Sequence, residues 1–198
     1  MESLEYTKEY LKNSFDVKEK LMLDDEVLNN VALAADILTD KYKDSKKLLL
    51  AGNGGSAADA QHIAAEFVSR FYYDRPGLPA IALTTDSSML TAIGNDYGFE
   101  NIFSRQIQAQ GNHGDVFIGI STSGNSNNII KAVEAAKEEN IFSIIFCGSG
   151  GALKDLADLA ICVPSTSTPH IQECHICIAH IICAIVEKNI FPRNDNES

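Results

Sequence analysis

The chain has 198 residues, 45% of them apolar and 22% charged, the balance of an ordinary folded globular domain. Sixteen basic residues against 27 acidic ones leave a formal net charge of −11. That argues against a general nucleic-acid binder, because neutralising phosphates needs a basic face. It leaves room for a small phosphorylated ligand, which backbone N–H groups can hold locally. The start, Met1-Glu2-Ser3-Leu4-Glu5, lacks the basic region and apolar stretch of a secretory leader. No run of 18 apolar residues reads as a membrane span; the nearest, Ile176–Val186, is short and holds His180. Cysteines stand at 147, 162, 174, 177 and 183. An odd number without a leader reads as reduced thiols, so a cytoplasmic location is expected.

In chain order, residues 4–44 read as two helices. Leu4, Leu11, Phe15 and Leu21–Leu23 give the first its apolar spacing, and Val27, Val31, Ala34, Ala35 and Leu38 the second. Asp24 and Asp25 are candidate caps of the second. Residues 1–44 are thus expected to form an N-terminal helical arm. From 45 to 192 the pattern changes to short apolar runs, each followed by a turn and a helix. The runs are 47–51, 80–83, 115–120, 141–147 and 159–163. Helices are expected to about Phe71, to about Asn95, over 99–110, to about Glu139, briefly after Gly151, and over 168–189. Strand–loop–helix repeated five times implies an α/β domain built on a parallel sheet. The runs are continuously apolar, as strands covered on both faces should be. The tail 193–198 is polar and expected to fray.

Ligands of such sheets bind beyond the carboxyl ends of the strands. Four hydroxyls, from Ser121, Thr122, Ser123 and Ser126, fall at one such end, with Gly124 and a helix start. Hydroxyls and free N–H groups there can hold an anion; helix capping by Ser123 or Ser126 is the plain alternative. The loop carries no lysine, so it is no nucleotide P-loop. Gly52-Asn53-Gly54-Gly55-Ser56 is a second strand-to-helix turn, either simply tight or approached by a ligand. His62 and Glu66, four apart, share one helix face. They suit a metal-ligand pair, a base with its orienter, or an exposed contact.

Gln172, Glu173, His175 and His180 lie on the apolar last helix, where His180 is expected to be largely buried. Gln172 and His180 are about 80° apart around that helix, whereas Glu173 and His180 share a stripe, which makes Glu173 a competitor for the site. Cys174-His175-Ile176-Cys177 matches C-x-x-C but lies inside a helix, so core thiols are expected rather than a redox or zinc pair. Asn95-Asp96 follows Gly94, read as a helix end; it could serve a turn or hydrogen-bond sugar hydroxyls.

Together, GNGGSAADAQH at 52–62, IGNDYGF at 93–99, GDVFIGISTSGNS at 114–126 and IQECHI at 171–176 with His180 resemble the sugar isomerase (SIS) domain family. Within it they resemble the bacterial isomerases of sedoheptulose 7-phosphate, over nearly the whole chain. The resemblance implies a flavodoxin-like five-stranded parallel sheet and a homotetramer with shared active sites. It implies conversion of this phosphorylated seven-carbon sugar to D-glycero-D-manno-heptose 7-phosphate, the first step of heptose precursor synthesis for lipopolysaccharide or capsule. Ser121, Thr122, Ser123 and Ser126 would hold the phosphate, and Asn53, Gly54, Gly55, Asn95 and Asp96 would line the sugar. Glu66 would be the base and His180 its proton-transfer partner. His62, Glu66, Gln172 and His180 would bind one weakly held zinc per subunit. The competing resemblance is to tetrameric SIS proteins that bind the bacterial replication initiator; they lack the pair at 66 and 180.

Overall fold

In the computed structural model, which describes residues 2–193, two helices lead into an alternation of strands and helices. α1 spans Glu2–Met22 and α2 spans Asp25–Lys43. The break between them falls at Asp24, whose carboxylate accepts the Val27 N–H at 3.1 Å and so caps α2. The strands are β1 (Leu48–Gly52), β2 (Ala80–Ala82), β3 (Val116–Ser121), β4 (Phe142–Cys147) and β5 (Leu159–Cys162). After them come α3 (Gly55–Val68), α4 (Ser87–Tyr97), then a 3₁₀ turn at Phe99–Asn101 and α5 (Ser104–Gln110), α6 (Asn127–Glu138), α7 (Leu153–Leu156) and α8 (Thr168–Ile190).

All five strands are parallel, in the order β2-β1-β3-β4-β5, the flavodoxin-like arrangement. Side chains alternate between two cores, as the period of two demands. Leu48, Leu50, Ile118, Ile144 and Phe146 join α1, α2, α3 and α8 on one face. Leu49, Phe117, Ile145 and Cys147 join α5 and α6 on the other. Val27, Val31, Ala34 and Leu38 of α2 therefore belong to the same core as the sheet.

Several boundaries differ from the sequence reading, each for a local reason. Gly94 is not a helix end; it sits inside α4, which runs on to Gly98, where φ is +91° and glycine alone fits without strain. Asp115 stays out of β3 because its carboxylate accepts the N–H groups of Asn112 (2.8 Å) and Lys47 (3.0 Å) and pairs with the Lys47 ammonium (2.5 Å). α3 stops at Val68 rather than near Phe71, because the N–H groups of Phe71 and Tyr72 turn to the Glu187 carboxylate at 2.9 and 2.7 Å. The stretch 99–110 is a 3₁₀ turn and a short helix, not one helix. α8 is long and apolar enough by composition to cross a membrane, yet half of that window is buried in this fold; it is a core helix. Of the polar tail, all but Arg193 lies outside the described residues.

Candidate active site

The strand order reverses between β1 and β3: β1 leads out toward β2 and β3 toward β4. The turns beyond these two strands flank the crevice where such sheets bind ligands. Two reciprocal amide bonds join them, Asn53 Nδ2 to Asn128 Oδ1 at 2.9 Å and Asn128 Nδ2 to Asn53 Oδ1 at 2.8 Å. Asn128 was not singled out from sequence, where it is one of three asparagines at a helix start.

The 121–126 loop is not a capping loop. Ser126 occupies the cap position of α6, yet its side chain makes no cap bond. Its hydroxyl faces that of Ser121 at 2.9 Å instead. The side chain best able to screen the first N–H groups of α6 is therefore turned away from them, as an anion site requires. Ser123 Oγ accepts the Asn125 N–H at 3.2 Å, so its hydroxyl also shapes the loop. The β4–α7 loop fixes it from behind: Gly148 N–H donates to Thr122 O at 3.1 Å and Leu153 N–H to Gly124 O at 3.0 Å. Gly124, at φ +67°, lies so close to Gly150 and Gly151 that a side chain there would collide with their backbone.

On the other side of the β1 turn is a cavity of about 450 Å³, lined by Asn53, Gly54, Thr84, Thr91, Gly94 and Phe99 among others. Asn95 and Asp96 are not in its lining; both are exposed, and Asn95 Nδ2 donates to Asp96 Oδ1 at 2.8 Å.

His62 and Glu66 of α3 meet His180 of α8. His62 Nε2 lies 3.1 Å from Glu66 Oε1 and 3.2 Å from His180 Nε2, and the three donor atoms all fall within 4.8 Å of one another. One ring nitrogen carries at most one proton, so His62 Nε2 cannot donate fully to both neighbours. A cation among the three would satisfy all of them, and two imidazoles with one carboxylate form a known catalytic zinc set that leaves a position open. The residues therefore fit a zinc ion. His180 is half-buried rather than buried, because it faces this cluster and the Phe71 ring, 5.5 Å away between centroids. The fully buried imidazole is His175, whose Nε2 is 3.2 Å from the Cys147 carbonyl; burial pushes its pKa down to about 4.

Gln172 sits at the opposite end of the α3–α8 contact, with its amide against Gly55, where a Cβ would approach Nε2 to 2.7 Å. It precedes His180 by eight residues, about 12 Å of helix rise. The structure thus brings three of the four expected ligands together and sets Gln172 beside the 53–55 turn. Glu173 does not compete. It turns to α1, where it meets Ser14, Tyr10 (3.3 Å) and Lys18 (2.7 Å). Lys18 and Ser14 hold its carboxyl down to about 2. Cys174 is buried as expected, but Cys177 is exposed.

Sequence reasoning also missed the clamp that sets α3 against α8. Arg75 Nε donates to Glu187 Oε1 at 3.0 Å, while its other nitrogens donate to the carbonyls of Phe67 (2.6 Å) and Glu66 (2.9 Å). The available signal was an acidic residue on the apolar stripe Ala179–Cys183–Val186.

A SIS domain model matches residues 9–146. A phosphoheptose isomerase of Aneurinibacillus thermoaerophilus is 59% identical over 94% of this chain and 95% of its own length. Phosphoheptose isomerase 2 of Campylobacter jejuni is 61% identical over 96% of each. The chain belongs to the phosphoheptose isomerase family of SIS-domain proteins. The solved phosphoheptose isomerase of Francisella tularensis superposes with a TM-score of 0.90 at 38% identity, over 95% of this chain and all of that one. That of Neisseria gonorrhoeae gives 0.88 at 41%, over 93% and 98%. These two isomerases share the architecture over nearly all of this chain.

Proposed function

We propose that this isomerase converts sedoheptulose 7-phosphate to D-glycero-D-manno-heptose 7-phosphate through an enediol. The observation that carries the reading is the meeting of His62, Glu66 and His180 on two helices, one of which, α3, starts at the β1 turn that flanks the crevice. His62 lies seven residues, about 10 Å of rise, beyond Gly55. An extended heptose phosphate suits that span, with its phosphate at Ser121, Thr122, Ser123 and Ser126.

Ketose-to-aldose conversion moves a proton from C1 to C2 and another between O1 and O2. Glu66, about a quarter exposed beside His62, takes the carbon proton and returns it to the neighbouring carbon. His180 moves the oxygen proton. Each positioned group contributes about 10²–10⁴-fold, and phosphate binding at the far end aligns the reacting carbons. Asn53 and the backbone at Gly54 and Gly55 line the sugar, with Gln172 held against them. His62, Glu66 and His180 would hold zinc, while Gln172, packed on Gly55, stands with the sugar-lining groups. When bound, the ion would polarise a substrate oxygen and stabilise negative charge developing there. A carboxylate committed to zinc is a weaker base, which is why the ion is proposed to be weakly held.

We also propose a homotetramer. Leu4, Tyr6, Leu11 and Phe15 of α1 are each more than half exposed, and His180 borders an apolar depression with Tyr72, Ile176 and Ile181. A partner covering these faces would shield the site from water. All five cysteines are free, which supports a cytoplasmic location. The same three-residue cluster favours an isomerase over a replication-initiator-binding module, which has no use for it. Proton NMR of sedoheptulose 7-phosphate with the purified protein should show an aldoheptose 7-phosphate, and Glu66→Gln should slow its formation by about 10²–10⁴-fold. No product from zinc-supplied protein would overturn the reading.

A further inference from the structure

Cys147 ends β4 and Cys162 ends β5, and the two are register partners. Both side chains belong to the α5–α6 face of the sheet. Adjacent strands lie about 4.8 Å apart, inside the Cα separation of about 4.4–6.8 Å that a disulfide needs. The sulfurs are already in contact at 3.4 Å. Cys147 is buried, whereas Cys162 is half-buried and opens into a polar cavity of about 590 Å³ that also holds Lys154. The hydrogen bond with Cys147 holds the Cys162 thiol below its ordinary range against the effect of burial, with help from Lys154 and against the nearby Glu26 and Asp155. The same contact and burial push Cys147 up. One cysteine therefore borders the cavity and its neighbour is sheltered, the pairing of an attacking and a resolving cysteine.

We propose that Cys162 and Cys147 form a reversible dithiol–disulfide site whose oxidant is a small peroxide. The Cys162 thiolate attacks one peroxide oxygen and the O–O bond breaks. The departing hydroxide takes a proton and leaves as water, and Cys162 becomes a sulfenic acid by two-electron oxidation. Cys147 then loses its proton and attacks that sulfur. The S–S bond forms, the S–O bond breaks and a second water leaves. The sum is two thiols and one hydrogen peroxide giving a disulfide and two waters; a small thiol reverses it by exchange. The site lies at the base of the β4–α7 loop that fixes the 121–126 loop from behind, but its chemistry is independent of what that loop binds.

The test treats the reduced full-length protein with hydrogen peroxide, alkylates the remaining thiols in denaturant, and maps peptides without reduction. A cross-linked pair of peptides carrying Cys147 and Cys162, released by dithiothreitol, is expected. Cys162→Ser should abolish the link, and Cys147→Ser should leave a dimedone-reactive sulfenic acid at Cys162. Finding both residues alkylated after peroxide, or finding the link elsewhere, such as Cys174 to Cys177, would overturn the proposal. Should Cys147→Ser not fold, the wild-type map and Cys162→Ser decide it alone.

Discussion

Two glutamates on the packed helices have opposite surroundings. Glu187 of α8 is 1% exposed at its side chain and fully engaged: it accepts the N–H groups of Phe71 and Tyr72 and pairs with Arg75. Glu66 of α3 is 26% exposed and meets one imidazole at 3.1 Å. A carboxylate that already accepts three hydrogen bonds, one of them from a cation, holds structure and does not easily accept a proton. One with a single side-chain partner has lone pairs left for a ligand, a metal or a proton in transit. Arg75 connects the two roles, because the same guanidinium that pairs with Glu187 donates to the Glu66 carbonyl. The buried pair fixes the backbone from which the open carboxylate works.

The sharpest way to break this contrast is to remove each carboxylate in turn. Glu66→Gln should lower kcat in the NMR assay by about 10²–10⁴-fold, with the urea midpoint nearly unchanged. His180→Gln should do the same. Near-normal turnover in either would strip that residue of its role. Glu187→Ala should show the reverse order of effects. Leaving Arg75 charged and unpaired in the interior costs about 3–5 kcal/mol, read as a lower urea midpoint at fixed protein concentration. Any loss of turnover should follow from the loosened α3–α8 contact. A Glu187→Ala protein as stable as wild type would mean that the pair holds nothing.

A buried imidazole sharpens the contrast through pH. His175 has a folded pKa of about 4 against 6.5 for the ordinary group, and its Nδ1 is buried without a partner. Between those values the unfolded chain binds the extra proton. Stability from this residue is therefore complete above pH 6.5 and lost as pH falls toward 4, by up to roughly 3 kcal/mol. Glu187 acts in a lower window. Burial alone would raise its pKa, but the Phe71 and Tyr72 N–H groups and Arg75 bring it below the ordinary carboxylate value. Its contribution is present above the unfolded pKa and lost as pH falls through the folded one. His175→Asn should flatten the stability curve between pH 6.5 and 4 and leave the more acid limb in place. An unchanged slope in that variant would assign the loss to other groups.

How much was legible follows the range of the interactions. The five strands were legible because each is a continuous apolar run, and the Ser121–Ser126 loop because its hydroxyls are neighbours in the chain. Strand order was not, since nothing local in β2 says that it lies outside β1. His62 and Glu66 announce each other at a spacing of four. His180 stands 118 residues from His62, and it was placed with them by resemblance, not by periodicity. Periodicity in fact favoured Glu173, which shares a stripe with His180. The stripe was real but its two ends face different neighbours: Glu173 meets Ser14 and Lys18 of α1, and His180 meets His62 of α3. Gly94 misled for a similar reason: a glycine inside a helix facing a cavity looks, in one dimension, like a glycine that ends it.

Glu173 supplies the smallest expected effect. Its contact with Lys18 is a half-exposed ion pair, a class worth at most about 1 kcal/mol and weakened by salt. Its carboxyl is held down to about 2 by Lys18 and Ser14, so the contribution is complete above the unfolded value of 4.5 and is lost progressively as pH falls from there toward 2. Glu173→Gln should therefore loosen α1, visible as faster amide hydrogen exchange around Ser14 and Val17, while turnover stays close to wild type. A variant that kept α1 protected but lost turnover as Glu66→Gln does would reverse the assignment. It would mean that the helix stripe, and not the contact seen with α1, had identified the residue's role.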